Sequence, residues 1–155
     1  MNLLLGQILN GIATGMLYAL MGLGLSLITG VLNIPNFAHG ALFAGGAYFL
    51  VTVSAALGNF WLGLLIAPLG VAILGLLIEY AGIRRLYAAG HDYQLLFTFG
   101  LALILSESII LIWGPIGSSY LPPDILRGGM DLGFTMYPKY RLFVMLAAGL
   151  LVFAT

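Results

Sequence analysis

The sequence has no cysteine, and of its 155 residues only five are basic and five acidic. Without cysteine there are no disulfides, no thiol nucleophile and no Cys-ligated metal site. Five basic residues cannot make the clustered positive surface that binds nucleic-acid phosphates, and the net charge is zero. The scarcity of charge also restricts the solvent. Only 6% of residues are charged and 62% are hydrophobic, whereas soluble domains carry roughly 25% charged residues. A chain of this size keeps a large outer surface that water would have to wet. Ten charges cannot supply that surface, so most of it is expected to face lipid.

Other features are missing as well. No GxxxxGK[ST] loop occurs, so the chain has no such cradle for ATP phosphates. Alternation of apolar and polar residues over about ten positions, the mark of a membrane barrel strand, is not seen. The N-terminus, MNLLLGQ, has no basic residue ahead of its first apolar run and is read as part of the mature protein.

What remains is a series of long apolar runs, each near the ~20 residues that cross a bilayer as a helix. The first covers residues 3–32 and is interrupted by Asn33, Pro35 and Asn36. A second covers 37–56, closed by Gly58 and Asn59. The third covers 60–83, with Pro68 inside it, and the fourth covers 93–113, stopped by Gly114-Pro115. Glu79, Arg84, Arg85, His91 and Asp92 lie around the loop between these last two. Residues 115–139 carry Pro122-Pro123, Gly128-Gly129, Gly133 and four of the charges. This stretch is too polar and broken to span, and it has room for a short helix or an ordered cap. A fifth apolar run begins near Tyr140 and continues to Thr155. The expected fold is therefore all-α, a polytopic transmembrane helical bundle of about five segments. We expect one transmembrane domain over 1–155, the last segment truncated and the whole a fragment of a longer chain. Trp61, Trp113, Tyr137 and Tyr140 fall near the segment ends, as interfacial aromatics do. Lys and Arg counts, two in the 84–85 loop against three around 115–141, leave the orientation open.

The first segment has a face of small residues. Gly11, Gly15, Ala19, Gly22, Ser26 and Gly30 fall within an arc of roughly 100° at 3.6 residues per turn. Small residues let helices approach closely, so this face is expected to pack on a helix of this chain or of another subunit. A pore-lining role is the alternative.

Several motifs together resemble the permease subunits of branched-chain amino-acid ABC importers of the LivH type. They are Tyr18 to Leu27 (YALMGLGLSL), the lead-in Gly30 to Asn33, Asn36-Phe37-Ala38-His39-Gly40-Ala41-Leu42, and Gly45-Gly46-Ala47-Tyr48. The resemblance continues through Glu79, Arg84-Arg85 and Thr98-Phe99-Gly100-Leu101, and is looser beyond residue 113. It departs at Ile34-Pro35, where the break is sharper than in the family. The resemblance implies a bacterial inner-membrane permease working with a second related permease subunit, two cytoplasmic ATPase subunits and a periplasmic substrate-binding protein. ATP would be bound by those partners, with no cofactor in this chain. It also implies that Arg84 and Arg85 are cytoplasmic, with the N-terminus and the 115–139 loop outside. Family members are about twice this long, and the loop that couples to the ATPase would lie in the missing part.

The candidate translocation-path residues are Asn33, Asn36, His39 and Glu107. A helix starting near Asn36 presents unpaired N–H groups and a partly positive end, which transporters use to hold carboxylates. The plainer reading is that Asn36 caps a helix. His39 alone is too few ligands for zinc and is expected to make a packing hydrogen bond. Glu107 is the one full charge inside the fourth segment, about 9 Å from its end. It could line a polar cavity, pair with Arg127 or a partner's base, or reach the interface. Glu79, Arg84 and Arg85 read as a loop anchor, with ATPase contact as the alternative. An intramembrane enzyme built on His39 and Glu107 lacks a nucleophile and an orienting group. The same residues are compatible with a permease for urea or short amides, and with a stand-alone channel or secondary transporter. Dependence on an ATPase separates an importer from a channel or a secondary transporter.

Overall fold

The computed structural model describes residues 2–32, 34–117, 120–133 and 135–155, without the side chains of Asn2 and Leu32. Five α-helices follow in order: α1 (Asn2–Leu32), α2 (His39–Leu57), α3 (Phe60–Ala81), α4 (His91–Trp113) and α5 (Lys139–Ala154). Four stretches are long and apolar enough to cross a membrane: Leu3–Val31, His39–Leu57, Phe60–Leu86 and His91–Trp113. α5 has 16 residues. Most large apolar side chains are exposed, Leu65, Leu76, Leu96 and Leu111 among them. An aqueous monomer does not tolerate so much contiguous apolar surface, and lipid and neighbouring helices do. The chain is a multi-pass membrane protein.

The chain divides into two compact units, Leu27–Tyr120 and the pair of segments Met1–Ser26 and Leu121–Thr155. Within the first, α2 packs along α3 and α4. The α2–α3 turn is set by Gly58, whose φ of 62° suits a residue without a Cβ, and by Asn59. The Asn59 side chain accepts the N–H groups of Trp61 (2.9 Å) and Leu62 (3.2 Å), so α3 begins with two of its free donors satisfied. Close packing follows at once. A Cβ on Gly63 would overlap the Ser54 hydroxyl and lie 3.2 Å from the Ser54 Cα. Only glycine allows α3 to approach α2 this closely. Farther along, the Trp113 indole N–H donates to Thr52 Oγ1 at 2.8 Å, and the Tyr48 ring lies 5.3 Å from Trp113. Neither Tyr48 nor Thr52 stands out in the sequence as a partner for that indole.

α3 ends in a short 3-10 turn, Ile83–Leu86. There the Tyr87 hydroxyl donates to Glu79 at 3.0 Å, and the Arg84 guanidinium lies 6.0 Å from the Tyr80 ring centre. The loop-anchor reading of Glu79 thus acquires a specific partner, Tyr87. Gln94 secures the start of α4 by donating to the Leu86 carbonyl at 2.9 Å.

In the second unit, residues 121–138 supply what the sequence leaves as a short helix or cap. They form a 3-10 turn, Asp124–Leu126, and an antiparallel hairpin of Gly129–Asp131 (β1) and Met136–Pro138 (β2). The strands lie outside the all-α expectation. They are three residues each, too short for periodicity to register, and the Asp131 carboxylate bonded to Gly133 N at 2.8 Å shapes their turn. Tyr137 is only 3% exposed, with its hydroxyl 3.4 Å from the Leu9 carbonyl. It is therefore a core residue of this unit and not a membrane-interface aromatic. Arg141 bonds the Asn10 side chain.

Candidate functional site

The break between α1 and α2 is a packed junction. Asn33 lies outside the described residues. Ile34 (3% exposed) and Ala38 (0%) are its apolar plugs. The Asn36 side chain accepts the Ala38 N–H at 3.0 Å, and its carbonyl accepts the His39 N–H at 3.1 Å. α2 therefore starts at His39, three residues beyond Asn36, and Asn36 holds the turn that precedes it, with no side-chain cap bond on the helix itself. The Thr98 hydroxyl, fully buried on α4, is 3.1 Å from the Leu95 carbonyl and 3.4 Å from that of Pro35. Phe37 meets Phe99 edge-on at 6.4 Å. Thr98 and Phe99, motif residues of the fourth segment, thus tie the junction to α4.

His39 is half-buried at the first position of α2. It borders an open apolar groove of about 500 Å³, with Ile28, Phe43, Ala47, Leu64 and Pro68 along its walls. Pro68 has no N–H to give the Leu64 carbonyl. Among the described residues, no group of three or more His, Asp or Glu side chains comes together as a metal site.

Glu107 is placed quite differently. It lies nine residues beyond Thr98, about 14 Å farther along α4, and about 180° around it. Its side chain is exposed and has no hydrogen-bond or ion-pair partner among the described residues. The neighbouring Ser108 hydroxyl bonds back to the Ile104 carbonyl at 2.7 Å and so has no need of a partner outside the helix. Arg127, one of the partners considered for Glu107, is engaged by Asp124 at 2.6 Å and by the Pro122 carbonyl at 2.8 Å. Asn36 and His39 are therefore brought together, and Glu107 stands apart from them.

The glycines on the small-residue face of α1 make no close contact among the described residues. Gly11, Gly15, Ala19, Gly22, Ser26 and Gly30 are all exposed, and a Cβ built on any of the four glycines would meet nothing within 4 Å.

Residues 7–154 match the family model described as branched-chain amino acid transport system / permease component. The chain belongs to this family. LivH of Escherichia coli (strain K12), the high-affinity branched-chain amino acid transport system permease protein, is 38% identical over 53 residues. Those residues are 34% of this chain and 17% of that protein. LivH of Salmonella typhimurium matches to the same extent. BraD of Pseudomonas aeruginosa, of the same description, is 28% identical over 116 residues, which are 69% of this chain and 38% of BraD. The chain thus aligns with well under half the length of these relatives. No solved structure matches it. The family is one of transport permeases and not of enzymes.

Proposed function

We propose that this chain is the N-terminal part of a permease subunit of an ATP-binding-cassette importer that moves branched-chain amino acids across the bacterial inner membrane. The match of residues 7–154 to a permease component carries this reading. The names of the relatives support the cargo. Its partners are a second related permease subunit, two cytoplasmic ATPase subunits that bind the ATP, and a periplasmic substrate-binding protein. Arg84 and Arg85 face the cytoplasm, and the N-terminus and the 115–139 loop face outward. The exposed small-residue face of α1 takes a helix of the assembled permease, since small residues permit that approach.

Two regions are proposed for the translocation path: the α1–α2 break with Asn33, Asn36 and His39, and the outer face of α4 at Glu107. Separate substitution of Asn36 and His39 that impairs uptake while assembly holds assigns the break to the path. Normal uptake in both variants leaves it as a helix junction.

The deciding experiment is uptake of labelled leucine and labelled urea by the full-length parent. It is expressed with its partner subunits, with and without an inactivated ATPase. Leucine uptake that requires the ATPase is expected. ATPase-dependent urea uptake would keep the importer and change the cargo, and uptake indifferent to the ATPase would overturn the importer reading.

A further inference from the structure

We propose that Glu107 is the counter-ion, within the membrane, for the α-ammonium group of the amino-acid cargo; this rests on the importer reading above. α4 packs on its neighbours through Thr98, Leu105, Ile109 and Trp113, and Glu107 points the opposite way. It has no partner among the described residues.

Its depth in the helix matters as much as its direction. Glu107 is six residues, about 9 Å, from the end of α4 at Trp113. Helical Cα–Cβ bonds tilt toward the N-terminus, so its carboxylate leans away from the nearer interface and toward the bilayer centre. Reaching back to water is therefore disfavoured, and lipid is a costly neighbour for a carboxylate. This face needs water or a cation.

The four spanning helices hold no cation of their own. None of the chain's five basic residues lies within α1 to α4. Arg84 and Arg85 follow α3, Arg127 pairs with Asp124, and Lys139 and Arg141 open α5. An amino acid crossing the membrane as a zwitterion brings an ammonium group that itself needs an anion on the way. Two other acidic residues lie in α1 to α4, and both are near helix ends. Glu79 is two residues from the end of α3 and accepts the Tyr87 hydroxyl, and Asp92 is in the first turn of α4. Glu107 is thus the carboxylate that the four spans hold at depth.

The test uses the full-length transporter with its ATPase and binding protein, after ATPase-dependent leucine uptake by the wild type has been established. Failure at that first step sinks the importer reading and leaves Glu107 aside. Glu107→Gln should then lower uptake at saturating leucine about tenfold to hundredfold, the value of one charge-assisted hydrogen bond. Glu107→Asp should restore most of the rate, with the subunits co-purifying in both variants. These 155 residues contain no cysteine. Glu107→Cys, in a parent whose remaining cysteines are replaced, therefore gives a clean label. A cationic methanethiosulfonate reagent should modify it, and leucine should slow the modification. Wild-type uptake by Glu107→Gln overturns the proposal. So does labelling that leucine leaves unchanged. An unlabelled Glu107→Cys, or loss of assembly in Glu107→Gln, also overturns it and assigns the carboxylate a structural role against a neighbouring helix.

Discussion

The α1–α2 junction and the outer face of α4 handle polar groups in opposite ways. At the junction the Asn36 side chain, the His39 amide, the Pro35 carbonyl and the Thr98 hydroxyl all find partners within a few residues or on the facing helix. On the outer face of α4 a carboxylate is left exposed in an apolar helix. The family motif around Asn36 draws the eye first in the sequence, yet its hydrogen bonds are met by its own chain. Glu107, a lone charge in an apolar span, is a charged group whose needs the described residues do not meet. A polar group satisfied at home contributes to stability, whereas one left open points to something that arrives from outside.

The largest effect should come from removing the open group. Glu107→Leu should abolish most leucine uptake by the assembled transporter. It should also favour insertion of α4, by less than the roughly 3 kcal/mol that separates a charged from an aliphatic residue at a helix centre. Measuring uptake together with membrane-inserted yield checks both. Lower yield together with lost uptake would place Glu107 among the residues that hold the structure, alongside the junction, and the contrast would fail.

Next in size is an overpacking change within the bundle. Gly63→Val should destabilise the α2–α3 pair by about 1–3 kcal/mol or more, because its Cβ overlaps Ser54 of α2. Thermal unfolding in detergent would measure it. Gly63→Ala combined with Ser54→Gly should recover part of the loss, since the clashing hydroxyl and Cβ are removed together. An equally tolerated Gly63→Val would mean that the helices separate easily and that the bundle is not self-sufficient.

The helices are legible in the sequence because membrane helices write themselves as long apolar runs. Observed and expected ends agree closely, α1 at Leu32 and α4 at Trp113 among them. The start of α2 is less so. Asn36 has the chemistry of a cap, but Asn36, Phe37 and Ala38 first form a turn, and the helix starts only at His39. A tyrosine beside an apolar run reads as an interfacial anchor, which is why the sequence misleads at Tyr137. Its burial depends on Leu9, 128 residues away. The pairing of Trp113 with Thr52 has the same cause, a contact across 61 residues. Glu107 is legible as a charge in a span. Its direction is not, because that depends on which side of α4 the other helices occupy.

A smaller effect is expected at the junction. Asn36→Ala removes the bond to the Ala38 amide and should cost about 1 kcal/mol of stability. Asn36→Ser should retain most of it, because a hydroxyl can accept the same amide. Thermal unfolding of both variants beside uptake sharpens the comparison. Lost uptake at unchanged stability would move the junction from the satisfied class to the functional one.

The smallest effect belongs to Tyr87, which is satisfied but 45% exposed. Partial burial, and then the hydrogen bond and negative charge of Glu79, raise its hydroxyl above the ordinary value of 10.0, with Arg84 opposing them. The folded protein therefore favours the neutral phenol. Its contribution is complete below pH 10 and declines as pH rises through the higher folded value. Tyr87→Phe should leave stability nearly unchanged at neutral pH, because a bond this exposed competes with water. It should flatten the part of the alkaline decline that depends on this residue. Unfolding measured from pH 8 to 11 in both proteins would expose the difference. A loss at neutral pH as large as that of Asn36→Ala would mean that exposure does not grade these contacts, and that satisfaction alone decides their worth.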